Sequence, residues 1–257
     1  QARAALVLTG ALAAVLAHAA FAGSPACPWT VKLVRDASEV EKSFAPARRY
    51  AALDPDRTDV PGPLGKRIRV HRDAEGRPSA TVESAGGAPA PLVPGFAFFP
   101  SWSPDGSRAA CLVWKSEKRS DLALLDAATL RIASVDSSLA FADYQWSPDG
   151  ASIAATGRDR ATRRVVLKWI DVARARSRRV DVLLVNGEYE FDWSPDSRRL
   201  VYTRTTNVNM YGEASVLDLW VAADLGRTRC AVTSGEDLEL RPVWISNDAI
   251  RFASTPP

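Results

Sequence analysis

From about residue 97 onward the chain is written in short apolar runs of five to eight residues, divided by Gly, Pro, Asp and Ser. One set reads RAACLVW at 108–114, SIAATG at 152–157, RLVYTR at 199–204 and AIRFAS at 249–254. After a polar loop a second set follows: DLALLD at 121–126, VVLKWID at 165–171 and VLDLWVA at 216–222. A short turn then leads to LRIASVD at 130–136, RRVDVLLV at 178–185 and RTRCAVT at 227–233. Runs of this length between turn formers predict strands, and no helical stripe competes with them after about residue 65. The pattern repeats. Trp102, Trp146, Trp193 and Trp244 lie 44, 47 and 51 residues apart, each just ahead of the first set. With the residues that lead into each tryptophan, every unit holds four antiparallel strands at a period near 45, which predicts an all-β propeller.

The repeated words are WSPDG at 102–106 and 146–150 and WSPDS at 193–197, with WISND at 244–248 as a degenerate copy. Pro104, Pro148 and Pro195 fix φ for a tight turn. Asp105, Asp149 and Asp196 supply an acceptor, and Gly106 and Gly150 tolerate positive φ. The motif is therefore a hairpin between the first and second strands of a unit, and the tryptophan before it is a flat wedge between neighbouring sheets. These residues, together with the Leu-Asp-rich third strand, resemble the propeller repeats of the TolB family and, more distantly, the propellers of prolyl-oligopeptidase-type enzymes. The resemblance covers about residues 97–254. It implies a protein-binding propeller at the cell envelope, although no counterpart of a separate TolB N-terminal domain is evident, so the chain is not a clear orthologue.

Residues 66–257 have room for about four blades. KRIRVHRDAEGRPSATVES at 66–84 reads as two strands around a turn, and we expect it to complete a closing blade shared with 242–254. That would leave no open sheet edge. Two alternatives stand: PWTVKLVR at 28–35 feeds a fifth blade, or the chain is a truncated relative of a larger propeller. Residues 23–65 read as an N-terminal segment, with a short helix over 36–52 broken near Pro46 and a turn-rich linker over 53–65.

Composition narrows the class. Of 257 residues 46% are hydrophobic and 25% charged, which is globular, and 33 basic against 30 acidic residues leave a net charge of only +3. So slight an excess, with its basic stretches RDRATRR (158–164) and RARSRR (174–179) expected on different faces, argues against nucleic acid. Residues 1–22 have a basic start, an apolar Ala/Leu/Val run and Ala20-Phe21-Ala22, the layout of a signal peptide. An uncut anchor and lipidation of Cys27 are the alternatives. A periplasmic or secreted protein with no membrane span after cleavage is expected. Cys27, Cys111 and Cys230 allow one disulfide at most; the pair is not readable, though Cys111 in AACLVW suits a buried free thiol.

In a propeller the loops leading into each first strand share a face with the loops joining second to third strands. That face is expected to be acidic and partly aromatic around the axis: Asp143 and Tyr144; Glu188, Tyr189, Glu190 and Asp192; Glu236, Asp237, Glu239 and Arg241. Tyr211 stands in the long joining loop 205–215. Such a mouth suits a basic peptide, a sugar or a cation. No cofactor or metal site is indicated, and no catalytic residue is assigned. Apart from His18 in the leader the only histidine is His71, inside a strand, so a Ser-His-Asp arrangement has almost nothing to use. The expectation is a non-catalytic binding module. The alternative is a glycan- or peptide-processing enzyme, or a detached peptidase propeller.

Overall fold

In the computed structural model the described residues are 27–36, 59–62, 65–72, 78–84, 86–88, 90–91, 97–116, 119–183, 190–208 and 214–255. Residues 1–22 and most of the expected 36–52 helix lie outside them, as do Glu188, Tyr189 and Tyr211.

Chain order and sheet order agree almost throughout. After β1 (Lys32–Arg35), a first sheet contains β2 (Asp59–Pro61), β3 (Arg67–Arg72), β4 (Pro78–Glu83) and β5 (Ala90–Pro91). A second holds β6 (Ala97–Trp102), β7 (Arg108–Ser116), β8 (Arg119–Asp126) and β9 (Ile132–Asp136). A third holds β10 (Leu139–Trp146), β11 (Ser152–Asp159), β12 (Val165–Asp171) and β13 (Arg176–Leu183). The fourth begins with β14 (Phe191–Trp193), β15 (Arg199–Val208), β16 (Ala214–Ala223) and β17 (Thr228–Ala231). It is joined through a single parallel pair, Leu217 with Leu238, to β18 (Leu238–Ser246) and β19 (Ala249–Thr255).

The expected pairing of 66–84 with 242–254 is not what forms. Residues 67–83 pair with each other and with 59–61 and 90–91. The partner of β19 is instead β1, parallel, with Lys32 opposite Ala249 and Phe252 opposite Arg35. The 28–35 segment is thus the one that adds to the C-terminal strands. Part of the expected 53–65 linker is β2, and its PGPLG at 61–65 stands where the other sheets carry WSPDG. Pro61 replaces the tryptophan, and the turn is one residue shorter: Pro61 faces Arg67, six positions on, whereas Trp102 faces Ala109, Trp146 Ile153 and Trp193 Leu200, each seven on.

The core is a series of apolar layers between consecutive sheets. Ile68, Val82, Ala109, Cys111 and Leu125 fill the first interval; Leu112, Leu122, Tyr144, Trp146 and Ile153 the second; Leu167, Trp169, Phe191, Trp193 and Tyr202 the third. Leu33, Val201, Val221, Trp244 and Phe252 form a further layer within the fourth sheet, between β15–β16 and the strands β18, β19 and β1 that join it. Three of the four tryptophan wedges are also hydrogen-bond donors. The indole N–H of Trp146 donates to Ser101 O (3.0 Å), that of Trp193 to Gln145 O (3.2 Å) and that of Trp102 to Val60 O (3.2 Å). Gly62 is required under the last of these, because a Cβ there would sit 2.4 Å from the Trp102 ring. A buried Lys168–Asp136 ion pair (2.8 Å) ties the third sheet to the second. A disulfide from Cys27 to Cys230 ties the segment before β1 to β17, and Cys111 is a buried free thiol.

The serine of the motif, silent in the sequence, organises the turn. Ser147 Oγ donates to Asp149 Oδ1 (2.6 Å) and accepts from Ser152 N–H (2.9 Å), and Ser103 and Ser194 repeat both bonds. Hydrogen bonds from the Ser103 hydroxyl, and then from Ser107, hold the Asp105 carboxyl at about 2. Gly106 and Gly150 have φ of 68° and 71°; Ser197 takes the same left-handed position at 61°.

Candidate functional site

Three of the acids expected in the leading loops, Asp143, Asp192 and Glu239, belong to strands. Residues 140–145 lie inside β10, where a bulge between Phe141 and Asp143 turns the chain. Asp143 is buried and accepts from Tyr144 N–H (2.7 Å), and the Tyr144 hydroxyl donates to Ala110 O of the preceding sheet (2.9 Å). Asp192 in β14 accepts from Trp244 N–H (2.8 Å) and from the Gln145 side chain (3.4 Å), linking β14 to β18 of its own sheet and to β10 of the third. Glu190 accepts from the backbone N–H of Arg241, a residue held at φ 54° by the bulge between Leu240 and Val243. Asp192 thus works between sheets, while Asp143 holds its own strand and Glu190 ties the start of β14 to β18. The alternation of polar and apolar residues that resembled a charged loop is an inner strand whose polar side chains meet the neighbouring sheet.

One corner differs. Where the loop 232–237 leads into β18, Glu236 is exposed. Asp237 pairs with Arg35 (3.2 Å) and accepts from the Ser254 hydroxyl (3.0 Å). Glu239 follows, only 7% exposed, and its Oε2 is a buried oxygen without a hydrogen-bond partner. Burial pushes its carboxyl up to about 7; the nearby Asp218 adds to this, while Thr233, Leu219 N–H and the Arg35 charge oppose it. Asp218, in β16, is 1% exposed, and burial raises its carboxyl as well, against hydrogen bonds from the Thr206 hydroxyl (2.8 Å) and Gly235 N–H. Two buried acids thus share one end of β16 and β18, and one of their oxygens is unmatched. Unmatched buried charge is expensive, so such a corner favours a positive group brought by a ligand.

Of the residues expected at the mouth, the structure brings Asp237 and Glu239 together, joins Glu190 to Arg241, and places Asp143 and Asp192 apart from the corner. Reading the sequence missed Asp218, Arg35 and Thr233. The one available signal was a charge inside the apolar run VLDLWVA. Among the described residues no group of three or more His, Cys, Asp or Glu could hold a metal ion, and no helix is long and apolar enough to cross a membrane.

No profile of a known family matches the chain, and no curated protein matches it at a significant level. Solved structures do. The tricorn protease matches over 72% of this chain and 17% of its own, at 13% identity and a TM-score of 0.53. The β-propeller domain of the Trilobed protease from Pyrococcus furiosus matches over 70% of this chain and 57% of its own, at 13% identity and 0.52. TolB from Acinetobacter baumannii matches over 74% and 47%, at 18% identity and 0.48. The chain spans less than two thirds of each of these neighbours. The likeness is one of fold: this is a β-propeller protein, similar to TolB-type propellers and not a clear counterpart of any one of them.

Proposed function

We propose that the chain is an exported, non-catalytic binding module of the bacterial cell envelope, and that the leading-loop face around Glu239 receives a cationic segment of a protein partner. The observation that carries this reading is the unmatched Glu239 oxygen beside buried Asp218. A lysine or arginine of the partner would ionise Glu239 and supply the missing hydrogen bond. The Cys27–Cys230 disulfide supports an oxidising compartment.

The test is photo-crosslinking in envelope preparations, with a benzophenone side chain at position 236 on the leading loop or at position 107 on the WSPDG turn. The expected result is a discrete protein adduct from position 236 that Glu239→Gln abolishes, and none from position 107. Adducts from position 107 alone, or adducts indifferent to Glu239→Gln, contradict the proposal.

A second reading makes the chain the propeller of a longer peptidase. It is supported by the neighbours with TM-scores of 0.53 and 0.52, both parts of proteases. Peptide or glycan turnover by the chain, abolished by Glu188→Gln or Glu190→Gln, would favour an enzyme over a binding module.

A further inference from the structure

The RARSRR run at 174–179 has no part in the reading above, and the fold gives it a distinct setting. β13, the outer strand of the third sheet, lies against the turn Asp224–Gly226 that joins β16 to β17 in the fourth. Between them is a groove of about 280 Å³ lined by Arg178, Arg179, Asp181, Arg227 and Arg229, with Gly226 on its wall. The turn is held tightly there. Asp224, Leu225 and Gly226 are left-handed in succession, at φ of 50°, 55° and 76°. A Cβ on Gly226 would come within 2.7 Å of Val180 Cγ2 and 3.0 Å of Val180 Cα. The groove walls are therefore fixed relative to each other, with Arg227 and Arg229 on one wall and Arg178 and Arg179 on the strand that forms the other.

Charge in the groove is not balanced. Asp181 is its one acid, and it is already occupied: it accepts from the Tyr202 hydroxyl (2.8 Å) and Val182 N–H (2.8 Å) and pairs with Arg204 (3.4 Å) and Arg229 (3.3 Å). Arg229 also donates to Val180 O. Arg178, Arg179 and Arg227 are exposed, and among the described residues none of them has an acidic partner. Four arginines on the walls of a groove whose one carboxylate is already occupied make a site for a multiply charged oxyanion. Planar guanidinium forks match phosphate oxygens in pairs, and several positive groups are better neutralised by a phosphate than by a single carboxylate.

We propose that this groove between the third and fourth sheets is a binding site for a phosphate group, carried either by a free phosphoanion or by the headgroup of an anionic lipid. Its volume sits at the small end of ligand pockets, about 300 Å³ and above, which fits one such group. The other basic stretch, at 158–164, lies at the opposite end of the third sheet, since β11–β12 and β12–β13 are joined at opposite ends. The arginines of the groove are thus not part of a continuous cationic track of the sort a nucleic acid follows.

The test is calorimetric titration of the full chain with pyrophosphate, comparing the wild type with Arg178→Ala/Arg227→Ala and with a remote pair, Arg131→Ala/Arg164→Ala. All four arginines are exposed, and thermal melting checks that both variants fold. One-to-one binding is expected, weakened at least about tenfold by the groove pair and unchanged by the remote pair. Flotation with phosphatidylglycerol vesicles, against phosphatidylcholine, separates the sources. Vesicle binding that the groove pair abolishes and pyrophosphate displaces assigns the site to a lipid headgroup. Pyrophosphate binding without vesicle binding assigns it to a free phosphoanion. The proposal is overturned if pyrophosphate shows no saturable binding, or if both pairs weaken it equally, as diffuse surface charge would.

Discussion

The turn at Trp146–Gly150 and the corner at Glu239 are built from the same kinds of residue, yet they end in opposite states. In the turn every polar group finds a partner: the indole donates to the neighbouring sheet, Ser147 and Asp149 close on each other, and the chain returns on Gly150. At the corner two acids are buried and one oxygen is left over. Closed hydrogen bonding that recurs sheet after sheet is what holds the architecture. An unmatched charge in a place that occurs once is a capacity to bind. The degenerate copy marks the border between the two: Trp244 keeps its buried ring, with the Arg199 guanidinium 4.9 Å above it, but its indole N–H has no partner.

That contrast can be broken most forcefully at its closed end. Trp146→Ala removes a wedge and a cross-sheet donor together and should lower stability by about 3–5 kcal/mol in chemical denaturation. A variant that melts like the parent would refute the wedge. Next in size, replacing both Cys27 and Cys230 by Ser opens a tether across 203 residues of sequence and should cost about 2–4 kcal/mol, visible equally as a loss on reduction of the wild type.

The open end should appear as a pH dependence. The folded-state carboxyl of Glu239 lies at about 7, above its ordinary value of 4.5, so the folded chain holds this proton more tightly than the unfolded one. Its contribution is present below about pH 4.5 and is lost as pH rises through about 7, by about 2–3 kcal/mol. Glu239→Gln should remove that decline, and the difference between wild-type and variant unfolding free energies across this window measures it. The smallest effect is expected at Ser197. Ser197→Gly relieves a left-handed residue but forfeits the 3.0 Å bond that Asp149 N–H donates to its hydroxyl, so the net change should stay within about 1 kcal/mol.

The strands and hairpins were legible because their signals are local: a proline, an aspartate and a glycine at fixed offsets between apolar runs. What lay beyond the sequence was non-local. PGPLG at 61–65 occupies the place of a fourth complete turn motif, but without its tryptophan and one residue shorter it resembles a linker. Nothing in KLVR at 32–35 distinguishes it from other short apolar runs as the parallel partner of β19, and the cysteines of the disulfide are too far apart for spacing to pair them. The acids were found as residues but not as a site. Asp143, Asp192 and Glu190 are taken up by hydrogen bonds along their own strand or to adjacent strands, and Asp218, which completes the corner, is one charge in an apolar strand.

The measurement that addresses the central claim most directly is the affinity of a lysine-rich peptide, pentalysine, for the wild type and Glu239→Gln from about pH 6 to about pH 8. If the corner takes up a positive group by ionising Glu239, wild-type affinity should rise about tenfold across that range while the variant stays flat and weak. Equal affinity and equal pH dependence in both proteins would contradict it.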